Sequence, residues 1–251
     1  MKKSLILASV FVMVLFFGNI AYALTAREII KKSQDITRSK SSKGTMEMII
    51  IKPEWKRTLE MKFWEDGKDK FFARIIAPAK EKGIGSLKIG ANMWNYLPKT
   101  EKVMKIPPSL MLQPWLGSDF TNDDLVKESN VEDDYTHKLL EDTKINGIMT
   151  YKIELVPKPE APVVWGKIIF YVDKSNFLPV KEEFFSEKGE LVRVMNFSDV
   201  KKMHDRLIPT KMEMIPLNKK GQKTVIIQKD VQFDIPIPAD IFSLRNLKEK
   251  E

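Results

Sequence analysis

The sequence predicts a mainly β protein with a few helices: about ten or eleven antiparallel strands in a barrel or a sandwich. Three observations carry this. Apolar and polar residues alternate with period two from Gly44 onward. Turn signals recur along the chain at hairpin spacing. A proline-broken apolar segment, "IPPSLMLQPWLGSDFTNDDL" from Ile106 to Leu125, interrupts the strands and cannot join a ladder, because proline has no N–H to donate.

The elements follow in chain order. Lys2 and Lys3, the apolar run "LILASVFVMVLFF" and the small-x-small pair of Ala21 and Ala23 read as a secretory signal peptide over residues 1–23, cut after Ala23. An uncleaved anchor is the other reading. Leu5 to Leu24 is just long enough to span a bilayer, with Ser9 and Asn19 as its polar residues. Export places the remainder, 24–251, in the periplasm. The chain has no cysteine, so neither a lipoprotein anchor nor a disulfide is available and stability rests on an ordinary core.

Thr25 and Glu28 have capping-box spacing, and Leu24 with Ile29 suits a hydrophobic staple, so a helix starts here. Ala26, Ile29, Ile30, Ser33 and Ile36 fall on one face of it, and that stripe must lie against something. Met46, Met48 and Ile50 then alternate with polar neighbours, as do Leu59, Met61 and Phe63. Turn residues stand at Glu65–Gly67, Lys82–Gly83, Gly90, Pro98–Lys99, Asn146–Gly147, Asp173–Asn176, Lys188–Gly189 and Lys220–Gly221. These divide the chain into about six strands before the apolar segment and about five after it, closed by a turn at Pro238 to Leu247. No Gly/Ser or Pro-rich linker and no repeat divides 24–251, which makes one domain.

Composition excludes several functions. His137 and His204 lack the spacing of a zinc site, and no G-x-S-x-G elbow supports a serine nucleophile. "KGIGSLKIG" at Lys82 to Gly90 has neither the full glycine pattern nor the helix of a phosphate loop, and reads better as a strand entered through a turn. Asp123 with Asp124, and Glu132 to Asp134, lack the spaced ligands of a calcium loop. The formal charge of +8, two units of which are Lys2 and Lys3, comes from lysines scattered among glutamates, which argues against nucleic acid. The expectation is a protein without catalysis, metal or cofactor.

The apolar residues are the informative surplus. Met46, Met48, Leu59, Met61, Phe63, Phe71, Phe170, Met195, Met212 and Met214 are assigned to the inward strand faces. Methionine suits a fluid apolar ligand as well as gap filling, and a sheet this wide encloses more volume than its side chains fill. The helix from Thr25 and the segment carrying Leu110, Met111, Leu112, Trp115 and Leu116 then plug the mouth. Either that segment is a lid that gives way to an acyl chain, or it caps a core without ligand.

Six stretches in order resemble the LolA/LolB-like superfamily, specifically the outer-membrane lipoprotein-sorting protein family. "MWNYLPKTEKVMKI" is similar to its strand hairpin, through Trp94, Tyr96, Leu97 and Pro98. "GSDFTNDDL" is similar to its central motif, through Gly117, Ser118, Asp119, Phe120, Asp124 and Leu125. "YKIELVPKPE", "LPVKEEFFSEKGELV", "IPTKMEM" and "IFSLRNL" follow. The resemblance implies an incomplete antiparallel β-barrel covered by a helical lid, whose cavity takes acyl chains of a lipid or lipoprotein. It implies a monomeric carrier moving cargo toward the outer membrane, between an inner-membrane transporter and an outer-membrane acceptor. The same fold also suits a lipid-sensing or adaptor module docking on an RND/MMPL-type or ABC transporter. The lipoprotein carrier latches its lid with an arginine where this chain has Lys68 and Lys70, and a lysine lacks the planar fork.

Overall fold

The first helix, α1 (Ala26–Arg38), begins where the capping box predicts. The Thr25 amide donates to Glu28 Oε2 at 2.8 Å, and Thr25 Oγ1 accepts from the Glu28 amide at 3.3 Å. Ala26, Ile29, Ile30 and Ser33 are buried, and Ile36 is half-buried. The computed structural model describes residues 24–38, 40–127 and 131–249. The signal-peptide reading falls on residues 1–23, outside the described residues. Among the described residues no helix is long and apolar enough to cross a membrane.

Six strands precede the apolar segment: β1 (Ser41–Lys52), β2 (Trp55–Asp66), β3 (Lys70–Ala77), β4 (Gly85–Ile89), β5 (Asn92–Leu97) and β6 (Lys102–Lys105). After it come the short helices α2 (Asn122–Lys127) and α3 (Val131–Asp134). They lead to β7 (Tyr135–Leu139), β8 (Thr143–Ile145), β9 (Ile148–Pro157), β10 (Lys167–Asp173), β11 (Pro179–Phe185), β12 (Leu191–Met203), β13 (Arg206–Pro216) and β14 (Lys223–Phe233). A 3-10 turn, Ala239–Phe242, and α4 (Leu244–Lys248) end the described chain.

All fourteen strands form one antiparallel sheet in the order β6-β5-β4-β3-β2-β1-β14-β13-β12-β11-β10-β9-β7, with β8 on β9. The sheet is open: its two edges, β6 and β7, do not pair, and it does not close into a barrel. The strand count of about ten or eleven is therefore corrected upward. The first half matches, and the shortfall lies after the segment, where eight strands replace five. Two causes are visible. β8 has three residues, and the turn between β12 and β13 is made by His204 at φ 55°, with neither glycine nor proline to mark it.

Bulges curl the sheet. Register slips at Thr45/Met46, Glu60/Met61, Tyr171/Val172 and Phe184/Phe185 each add local twist. Gly44 sits just before the first of these. A Cβ there would lie 2.1 Å from the Asp230 carbonyl oxygen, so only glycine lets β1 and β14 approach.

The concave face holds the main core, built from Met48, Ile50, Leu59, Met61, Ile75, Ile153 and Leu155 with Ile29 and Ile30 of α1 laid across it. Part of the convex face is covered as well. Phe72, Leu87 and Tyr96 of β3 to β5 pack under Phe242 and Leu247 from the C-terminal turn and α4. Trp94 and Tyr96 of the expected hairpin motif belong to this outer cluster, and Pro98 lies in the turn after β5.

Candidate functional site

Beneath α1 the concave face is incompletely filled. One chamber of about 170 Å³ lies among Met46, Phe63, Phe71, Met195, Met212, Ile226 and Phe233, with Trp115, Phe120 and Leu125 on its far side. A second, of about 180 Å³, has a mixed lining, with Phe170, Phe197, Ile208 and Met212 beside Ser33, Gln34, Glu182 and Gln228. The two share Thr37, Arg38, Glu65, Met212 and Gln228, so they adjoin below the last turn of α1. A recess of about 40 Å³ continues toward Phe170, Arg193, Met195 and Met214.

The residues assigned to the cavity divide between lining and packing. Met46, Phe63, Phe71, Phe170, Met195, Met212 and Met214 line one or more of these spaces. Met48, Leu59 and Met61 lie in the packed core at 0 % exposure and line none of the three.

The apolar segment has two unlike halves. Leu110 and Leu112 are 45 % and 54 % exposed, and Met111 is half-buried. Met111 and Leu112 bound an outer groove with Ile106, Pro107 and Pro108. Trp115 is 2 % exposed, stacks edge-on to Phe71 with centroids 6.2 Å apart, and donates its indole N–H to Ser86 Oγ at 2.9 Å. Leu116, half-buried, has φ 51° and offers its carbonyl to Arg57, and Gly117 follows at φ 76°. A Cβ on Gly117 would lie 3.2 Å from that guanidinium, which explains the glycine.

The rest of the central motif is an anchor. Asp119, its side chain 1 % exposed, accepts from Lys52 Nζ at 2.8 Å and from Thr224 Oγ1 at 2.7 Å, while its amide donates to the same hydroxyl oxygen at 2.9 Å. Ser118 Oγ donates to the Trp115 carbonyl at 2.7 Å. Phe120 is buried. Thr121 and Asp124 cap α2 reciprocally, and Asp124 also takes a bidentate contact from Arg193 at 2.5 and 2.8 Å. The Arg193 guanidinium lies 4.4 Å from the ring centroids of both Trp165 and Phe184.

This division is testable by stability. Trp115→Phe removes the pyrrole ring and its N–H from a buried site, which is expected to cost about 2 kcal/mol or more. Leu112→Ala is expected to stay within about 0.5 kcal/mol, as for a surface change. Urea unfolding of both variants measures this, and equal losses would contradict a segment half clamped and half exposed.

Polar residues at the chamber mouth were not all legible in the sequence. Lys68, in the turn between β2 and β3, lies 3.5 Å from Glu132 and 3.7 Å from Asp133 of α3, and Arg27 of α1 meets the same two carboxylates. Lys70 pairs instead with Asp66 at 2.8 Å. Lys88 of β4 is 4 % exposed and donates to the Lys68 carbonyl at 2.8 Å. The parity of β4, with Ser86 inward under Trp115, was the signal that would have turned Lys88 inward. His137 donates through Nε2 to the Val131 carbonyl at 2.9 Å, and burial lowers its pKa below the ordinary imidazole value. His204 is exposed, and its Nδ1 accepts from the amide of Phe233 at 3.3 Å. Among the described residues no three His, Cys, Asp or Glu side chains are grouped to hold a metal.

Solved structures share the fold of this open, curled antiparallel sheet. An outer-membrane lipoprotein-sorting protein domain from Vibrio parahaemolyticus matches at 24% identity and TM-score 0.78, over 89% of this chain and 98% of that one. A DUF1329 family protein from Desulfovibrio piger matches at 22% and 0.81, over 88% and 97%. A LolA superfamily protein from Nitrosomonas europaea matches at 24% and 0.74, over 89% and 100%. At these identities the likeness is one of fold. The chain belongs to the family whose model, described as "Uncharacterized protein", matches residues 67–249. No curated protein matches the chain.

Proposed function

We propose that residues 24–251 act as one unit in the periplasm, a carrier that holds acyl chains of a lipid or lipoprotein in the chambers beneath α1. The observation that carries this reading is the pair of adjoining spaces, into which Met46, Met195, Met212, Phe63, Phe71 and Phe170 face beside polar residues, left open inside an otherwise packed sheet. Each chamber, of about 170 and 180 Å³, is near the ~150 Å³ cavity that admits benzene, and joined they pass the ~300 Å³ lower end for small-molecule pockets. A long acyl chain takes up both, and entry needs a wall to move.

The wall that moves is α1. Its hold is an apolar face of Ala26, Ile29 and Ile30 plus the exposed contacts of Arg27, whereas the second half of the apolar segment is clamped by Asp119, Asp124 and Trp115. Uncovering two isoleucines costs about 3–6 kcal/mol, and sequestering ten methylenes returns about 8 kcal/mol. The chain wins. Bond-making chemistry has no part in this reading.

A second reading, a lipid-sensing adaptor on a membrane transporter, is favoured by the exposed apolar corner of Met104, Leu110 and Leu112 at the sheet edge beside β6. Native mass spectrometry of the protein purified from periplasm, followed by lipid extraction, separates the two. A retained acylated species in a monomer is expected for the carrier. An empty protein that copurifies with a transporter would replace that reading with the adaptor.

A further inference from the structure

The junction of the two chambers is polar: Thr37, Arg38, Glu65 and Gln228 line both, together with Met212. Three of these four polar side chains are engaged within the protein. Thr37 Oγ1 donates to the Ser33 carbonyl at 3.1 Å, Glu65 accepts from Ser42 Oγ at 2.7 Å, and Arg38 is likewise engaged. Gln228 differs, because its side-chain oxygen is buried and accepts no hydrogen bond. We propose that Gln228 sets the specificity of the chambers and that the cargo is a hydroxylated acyl chain, its hydroxyl bonded to the Gln228 amide where the chain passes from one chamber to the other. The inference rests on the carrier reading and names the class of cargo.

Strand periodicity calls for an apolar residue at this position. Along β14, Ile226 stands opposite Met48 and Gln228 opposite Met46, both inward residues of β1. A leucine or methionine at 228 would continue that face, whereas an amide whose oxygen has no partner costs stability. The backbone explains why the side chain borders open space. The β13–β14 ladder ends at Lys211 and Ile227, one residue before Gln228, and the β1–β14 register slips just after it, between Met46 and Thr45. With the ladder ended on one side and a bulge on the other, the chambers meet at this point of β14.

A hydroxyl is the group that fits. An amide presents either its oxygen or its NH2 by turning about its last bond, and a hydroxyl both donates and accepts, so the pair forms in either orientation. A charged group would have to leave water to enter the chambers, whereas one hydrogen bond recovers much of the desolvation of a hydroxyl. Recognition of this kind discriminates, because a site built to bond a hydroxyl is left with its own polar group unpaired when a plain chain binds. The unloaded chambers already carry that unpaired oxygen, so a hydroxylated cargo removes a cost that a plain chain leaves in place.

Calorimetric titration below micellar concentrations tests the inference, with dodecanoic acid and its 3-, 6- and 12-hydroxy forms as ligands. The isomer whose hydroxyl falls at the junction is expected to bind about tenfold tighter than the parent acid, the worth of one hydrogen bond. Gln228→Leu and Gln228→Met are expected to erase that preference while dodecanoic acid binds at least as tightly as before. Neither change is expected to lower the urea midpoint, since each removes an unpartnered polar atom. If dodecanoic acid binds and every hydroxy isomer binds no better, the carrier stands and the hydroxylated cargo is overturned, with water as the partner of Gln228. A preference that survives both substitutions would overturn the role of Gln228. Failure of all four acids to bind would overturn the carrier and this inference together.

Discussion

Asp124→Ala is expected to lower the unfolding free energy by about 3–5 kcal/mol, the cost of leaving a buried charge without its partner. The side chains of Arg193 and Asp124 are 6% and 11% exposed, and their contact is bidentate. When the carboxylate is removed, the guanidinium stays wedged between Trp165 and Phe184 without its counter-charge. The same carboxylate caps α2 by accepting from the Thr121 amide at 2.7 Å, so truncation also frees a helix end.

The double change Asp124→Ala with Arg193→Met discriminates this account from simple loss of packing. Replacing both members of a buried pair by apolar groups is often nearly neutral, so the double variant is expected to recover much of what the single one loses. Urea unfolding of the set measures the coupling. A single-variant loss below about 1 kcal/mol, or a double variant worse than the sum, would show that the pair is not what fixes the apolar segment to β12.

Much of the concave face was legible because period two alone assigns it. Met46, Met48 and Ile50, then Leu59, Met61 and Phe63, turn inward as alternation requires. β3 was harder, since "KFFARIIA" is apolar on both faces. The convex side of β3 packs under Phe242 and Leu247, so Phe71 and Phe72 are both needed, one for each core. The clamp on the apolar segment was visible as a motif and opaque as a mechanism. Asp119 reaches Lys52 and Thr224, and Asp124 reaches Arg193, across 67, 105 and 69 residues, distances over which local sequence carries no information. Leu110 and Leu112 were grouped with Trp115 because they share a hydrophobic run. Exposure separates them, because prolines fix the chain direction without fixing which side chains meet the core.

Ile30→Ala is expected to speed amide exchange in α1 by about 30-fold or more, since truncating a buried isoleucine removes at least about 2 kcal/mol of docking. Ile30 is 0 % exposed and lies on the stripe that covers the chambers. Faster exchange in α1 by itself would also follow from a weaker protein. The control is Phe72→Ala, which damages the opposite face of the sheet, where Phe72 packs with Leu87, Tyr96 and Phe242. That change is expected to cost about 3–5 kcal/mol and to speed exchange in the sheet. It should leave α1 amides unchanged, because a helix that lifts off an intact sheet does not sense what happens to the sheet's outer core. Equal acceleration of α1 and sheet amides in Phe72→Ala would mean that α1 leaves only when the whole molecule unfolds, and the chambers would then have no door.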